Sequence, residues 1–107
     1  MNHLYQKELR RITNDIIKNY KPEKIILFGS FAYGEPTRSS DIDLLIIKKT
    51  KKSRIERTKE LLLMVDNKVP FEPVIYTPEE VDQRAREGDF FIEDILSKGK
   101  ILYETVL

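Results

Sequence analysis

The sequence predicts an α/β fold, a small mixed β-sheet of about four strands packed by helices, and three observations carry that reading. Short β-branched runs alternate with helical patterns along the chain. Two capping boxes, Ser53–Glu56 and Thr77–Glu80, open helices between such runs. A chain of 107 residues with 40% apolar content supplies one core and not two, so residues 1–107 read as a single domain.

The elements follow in order. Residues 2–20 place Leu9, Ile12 and Ile16 at helical spacing, with Asn2 as a candidate N-cap and Pro22 just past the end. Residues 24–28 are a short buried strand running into Gly29-Ser30 and a short helical turn. A turn-rich stretch over residues 34–40 leads to a second apolar run, residues 42–47. The helix capped by Ser53 is expected to reach about Asn67, where Asn67-Lys68-Val69-Pro70 breaks it. Residues 71–76 form a third strand, and Pro73, which cannot donate to a ladder, puts it at an edge or a strand beginning. Thr77-Pro78-Glu79-Glu80 starts an acidic helical stretch, and a last helix over residues 91–97 ends at Gly99, read as a left-handed C-terminal residue. Residues 100–103 add a fourth strand. A chain of this size is expected to build one layer of helices and leave the sheet's other face partly open, as a ligand cleft requires.

Composition narrows the function. No run reaches the roughly 18 apolar residues of a membrane span, and the charged N-terminal stretch has no apolar core of a secretion signal, so the expected address is the cytoplasm. The absence of cysteine removes disulfides and thiolate catalysis. Residues 1–60 carry 14 Lys/Arg against 8 Asp/Glu and residues 61–107 carry 5 against 10, a basic half and an acidic half inside a net charge of +1.

The chemistry gathers in residues 28–46. Gly29 lets backbone approach an anion, Ser30 offers a hydroxyl, and the amides of the following turn point at a phosphate; the plainer alternative is a strand-to-helix turn with Ser30 as N-cap. Asp41 and Asp43 stand two apart beside apolar neighbours, so on a strand they share a face about 6.6–6.8 Å apart along the chain. Two such carboxylates are costly unless a cation sits between them, and Mg²⁺, a hard oxygen-seeking ion, fits; the alternative is a solvated pair at the strand's first turn. A third carboxylate on a neighbouring strand completes a two-metal site, and Glu72 is the candidate, against a solvent-facing edge residue.

Gly29-Ser30, ten residues, then Asp41-Ile42-Asp43 resembles the signature of the minimal nucleotidyltransferases of the DNA polymerase β-like superfamily. Leu27-Phe28 before it, Gly34-Glu35 and Ser40 within it and Leu44-Leu45-Ile46 after it extend the likeness. Residues 71–78 resemble the family's later strand, with Glu72 six residues before Pro78, and residues 99–103 resemble its end. The resemblance implies the minimal nucleotidyltransferase fold and transfer of AMP from ATP to a hydroxyl, releasing pyrophosphate. It implies that Asp41 and Asp43 bind two Mg²⁺ ions, that Gly29 and Ser30 hold the triphosphate, and that Glu72 serves the second metal and the attacking hydroxyl. Tyr33 stands where relatives often carry arginine, and Glu72 where aspartate is commoner; Arg38 is a candidate substitute for the former and otherwise a solvated loop residue.

The chain ends about sixty residues after the signature, without the added helical domain of small-molecule transferases, so the acceptor is expected on another protein. That resembles the antitoxin of HEPN/minimal-nucleotidyltransferase pairs, which adenylylates a tyrosine of a HEPN-type ribonuclease toxin. The alternatives are an antitoxin that masks the toxin by contact alone, and nucleotidyl transfer to RNA or a small molecule. The last rests on Lys48, Lys49, Lys51, Lys52 and Arg54, a basic cluster read first as a solvated loop; without interleaved aromatics, direct nucleic-acid binding is disfavoured. Phe90-Phe91 is read as the anchor of the last helix in the core, with one of the pair available to a partner.

Overall fold

The computed structural model describes residues 3–34 and 41–105, so Asn2 and most of the turn before Asp41 lie outside the described residues. Helix α1 (His3–Tyr20) buries Ile12, Ile16 and Tyr20 at four-residue spacing, one stripe of an amphipathic helix. It ends on Lys21, whose φ of 53° is the left-handed turn helices use to stop, and Pro22 follows. Strand β1 (Lys24–Phe28) runs into the short helix α2 (Ser30–Tyr33), and β2 (Ile42–Ile47) returns antiparallel beside it. Helix α3 (Arg54–Met64) crosses to β3 (Phe71–Tyr76), which lies parallel to β2. Helices α4 (Pro78–Arg86) and α5 (Phe90–Lys98) lead to β4 (Lys100–Glu104), antiparallel to β1.

The sheet is therefore mixed, in the order β3-β2-β1-β4. Pro73 sits on an edge strand, as its missing N–H requires. Both capping boxes form, with the Ser53 and Thr77 hydroxyls accepting from the amides of Glu56 and Glu80. Helix α3 stops at Met64, short of Asn67, because Val65 is already extended and turns inward to the core.

The single helical layer is corrected. Ile25, Leu27, Ile42, Leu44 and Ile46 pack with Ile12, Ile16 and Leu61 on one face of the sheet. Ile26, Phe28, Leu45 and Ile47 pack with Val81, Ile92 and Ile95 on the other. The central strands are apolar on both faces and need cover on both. The second layer exists because the C-terminal helical stretch breaks in two at Gly88, whose φ of 76° lets the chain double back. The Asp89 carboxylate then caps α5 by accepting from the amides of Phe91 and Ile92.

Gly99 is also corrected: its φ of −67° is not left-handed. A glycine is needed there for closeness, since a Cβ would meet Ile26 Cγ2 and the Ile95 carbonyl oxygen, each at 2.5 Å. Among the described residues no helix is long and apolar enough to cross a membrane.

Candidate active site

One row across the sheet builds the site. Phe28, the last residue of β1, stands opposite Asp43 of β2, and Asp43 stands beside Glu72 of β3. Asp41 precedes β2 by one residue and lies two before Asp43, on its face of the pleat. Ligand oxygens of Asp41, Asp43 and Glu72 all lie within 4.8 Å of one another. Parallel pairing of β2 with β3 is what makes Asp43 and Glu72 neighbours, and the Ile42 amide donating to the Pro70 carbonyl at 2.9 Å fixes the register.

The acidic trio carries uncompensated charge: among the described residues none of the three forms an ion pair. Partial burial pushes the Asp43 carboxyl up to about 6, and the nearby Glu72 and Asp41 carboxylates add to the shift. Three hard oxygen donors this close, one of them strained toward its neutral form, are the donor set of a divalent cation such as Mg²⁺. The residues fit such an ion.

Gly29 is tied to the same row. Its φ of 78° and ψ of −161° belong to a region that L side chains avoid, and a Cβ placed there would lie 3.2 Å from Asp43 Cγ and closer still to its Oδ2. The residue is glycine because the turn demands it and because the Asp43 carboxylate fills the space. Gly29, not Ser30, is the N-cap of α2, which corrects the alternative reading of Ser30 as a cap. Ser30 is the first helical residue, and its hydroxyl has no hydrogen-bond partner among the described residues. The sequence-predicted residues Gly29, Ser30, Asp41, Asp43 and Glu72 are thus brought to one end of the sheet. The Tyr33 side chain and Arg38 lie outside the described residues.

The basic segment is largely solvated, as read: Lys49, Lys51, Lys52 and Arg54 are exposed and Lys48 is half-buried. The Lys48 ammonium donates to the Tyr20 carbonyl and sits 4.2 Å from the Tyr20 ring centroid. Lys52 pairs with Glu60, and Arg54 donates to the Tyr76 hydroxyl at 3.0 Å. Of the five, Lys48 is drawn into the fold, while Lys52 and Arg54 make their contacts from exposed side chains. Phe90 and Phe91 are not core anchors: they are 85% and 45% exposed, while Ile92 and Ile95 are buried. Phe91 instead meets Phe28 edge to face at 5.5 Å, one strand position from Asp43. Sequence reasoning missed this neighbour of the acidic row. The three-residue spacing of Ile92 and Ile95 after the Asp89 cap was the available signal.

A mixed sheet that ends in three convergent carboxylates beside a Gly-Ser turn defines a nucleotidyl-transfer domain. A family model described as polymerase beta, nucleotidyltransferase, matches residues 11–106, and the chain belongs to that family. Three curated proteins of Methanocaldococcus jannaschii, each provisionally named a protein adenylyltransferase, are similar over shorter stretches. The first is 49% identical over 41 residues, which is 37% of this chain and 41% of the relative. The second is 42% identical over 38 residues, 36% of this chain and 44% of the relative. The third is 43% identical over 44 residues, 39% and 44%. The chain thus spans less than half the length of these relatives in each match.

Proposed function

We propose that this chain transfers AMP from Mg-ATP to a hydroxyl of a partner protein, and that it acts in the cytoplasm as an antitoxin silencing a HEPN-type ribonuclease by modifying a tyrosine. The observation that carries the reading is the convergence of Asp41, Asp43 and Glu72, within 4.8 Å, beside the Gly29-Ser30 turn. The names of the Methanocaldococcus relatives, protein adenylyltransferases, support a protein as the acceptor.

In the transfer, the acceptor oxygen bonds to the α-phosphorus of ATP while the bond from that phosphorus to the β-phosphate oxygen breaks, and pyrophosphate leaves with the electron pair. Asp41, Asp43 and Glu72 would hold the metal ions between them. Mg²⁺ held there would neutralise charge on the attacking and leaving oxygens. Glu72, on the edge strand, takes up the hydroxyl proton. The Ser30 hydroxyl, with no partner among the described residues, and the amides of its turn hold the β- and γ-phosphates. No covalent enzyme intermediate is needed, because positioning and electrostatics carry this chemistry.

The test takes tagged protein from its own host, incubates it with Mg-ATP and measures the intact mass of the co-purifying partner, beside the Asp41→Asn/Asp43→Asn variant. The expected result is a partner heavier by whole AMP units only with the intact site, and a variant that no longer neutralises it. A double variant that still neutralises fully, with no mass added to the partner by the intact protein, would overturn catalysis and leave masking by contact.

A further inference from the structure

Helix α5 carries an exposed aromatic pair. Phe90 is 85% and Phe91 45% exposed, and with Glu93, Asp94 and Ser97 they line a shallow groove of about 490 Å³. Exposed large aromatics are not required by α5 itself, which is already anchored by Ile92 and Ile95. Phe91 also rests on Phe28, the strand neighbour of Asp43, which brings the aromatic pair near the acidic row.

The groove's unpaired charge is acidic. Of the carboxylates nearby, Glu80 is held by Arg57 at 2.7 Å and Asp89 by Arg84 at 3.2 Å. Asp94 pairs with Lys98, but Glu93 makes no ion pair among the described residues. Apolar anchors with an acidic rim select a partner with the complementary pattern.

We propose that the Phe90/Phe91 face of α5 is the docking surface for the acceptor protein, and that it takes an apolar segment flanked by Lys or Arg. This rests on the reading of the chain as a protein adenylyltransferase, because it is the modified protein that must lie beside Asp43 and Glu72. The surface selects the acceptor, and the carboxylates perform the transfer.

The probes are two fluorescent peptides of equal length, each with one tyrosine among leucines, one flanked by lysines and the other by glutamates. Binding to the full chain is read by anisotropy, and AMP incorporation from labelled Mg-ATP is read in the same samples. The lysine peptide is expected to bind at least tenfold more tightly than the glutamate peptide, and to weaken severalfold between low and high salt. Phe90→Ser and, separately, Glu93→Lys are each expected to remove most of that preference while the melting temperature stays unchanged, since both side chains are exposed. Equal binding of the two peptides, or binding that Phe90→Ser leaves intact, overturns the docking surface. A wild-type dimer that Phe90→Ser turns into a monomer also overturns it, by giving the face to a second copy. Preferential binding without labelling leaves the docking surface and removes the transferase reading; labelling without preference does the reverse.

Discussion

Asp43 is the residue on which fold and chemistry pull in opposite directions. Its carboxyl is pushed up to about 6 from an ordinary 3.8 by burial and by the Glu72 and Asp41 carboxylates. Between those two values the folded chain holds a proton that the unfolded chain has lost, so stability falls as pH rises through that window and levels off above it. Asp43→Asn removes the charge and keeps the shape. In metal-free buffer at pH 7 the variant is expected to be more stable by about 1 kcal/mol, a figure reduced from the full shift for solvent screening. At pH 4 the gain is expected to disappear. Thermal melts of both proteins across pH 4–8 measure this, and a variant less stable than the wild type at pH 7 would show that the carboxylate is held by a favourable partner instead. Gly29 follows from the same side chain, because the Asp43 carboxylate occupies the place its Cβ would take.

At the scale of elements, Arg57 fastens the two helical layers across the edge strand. Its side chain is buried; it donates to Glu80 Oε1 at 2.7 Å, to the Lys52 carbonyl at 2.8 Å and to the Ile75 carbonyl at 3.3 Å. Glu80 also closes the capping box of α4 by accepting from the Thr77 amide at 2.7 Å. Burial alone would raise the Glu80 carboxyl, but the hydrogen bonds from Arg57 and Thr77 outweigh it and hold it below the usual range. Arg57→Ala is expected to lower stability by about 3 kcal/mol in denaturant titrations, through Glu80 left without its partner and two carbonyls left unsatisfied. Arg57→Lys is expected to recover less than half, because a point charge cannot span three acceptors on three segments. Full recovery with lysine would reduce the contact to charge alone. None of this was legible in the sequence, where Arg57 is one more cation on a charged helix. The strands, both capping boxes and the edge position of β3 were legible, because runs of Ile and Leu, Ser/Thr-x-x-Glu and Pro73 act locally. The second helical layer was not, because it depends on Gly88 turning the chain back, and one glycine in a polar stretch does not announce a direction. The carboxylates were legible as a spaced motif; the contact of Phe91 with Phe28 is tertiary, and the spacing of Ile92 and Ile95 after Asp89 told only which face of α5 is buried.

Across the whole molecule, charge decides what a divalent cation does. The acidic half supplies Glu72 and the rim of α5, so cations meet both a specific trio and a diffuse acidic surface. These differ in saturation and in pH response. Binding at the trio stabilises the folded chain by RT ln(1 + [ion]/Kd), about 1.4 kcal/mol at ten times Kd, which for a domain of this size is a rise of roughly 5 °C in Tm. That rise is expected with millimolar Mg²⁺ or Mn²⁺ at pH 7.5, and to shrink at pH 5.5, where Asp43 must first release its proton. The Asp41→Asn/Asp43→Asn variant is expected to show no saturable rise at either pH. Screening at the α5 rim would instead grow smoothly with ionic strength, survive in the double variant and be reproduced by sodium chloride. Differential scanning fluorimetry with Mg²⁺, Mn²⁺ and matched sodium chloride separates the two. An equal rise in the wild type and the double variant would place the ions on the acidic surface and remove the metal site from the row Asp41, Asp43 and Glu72.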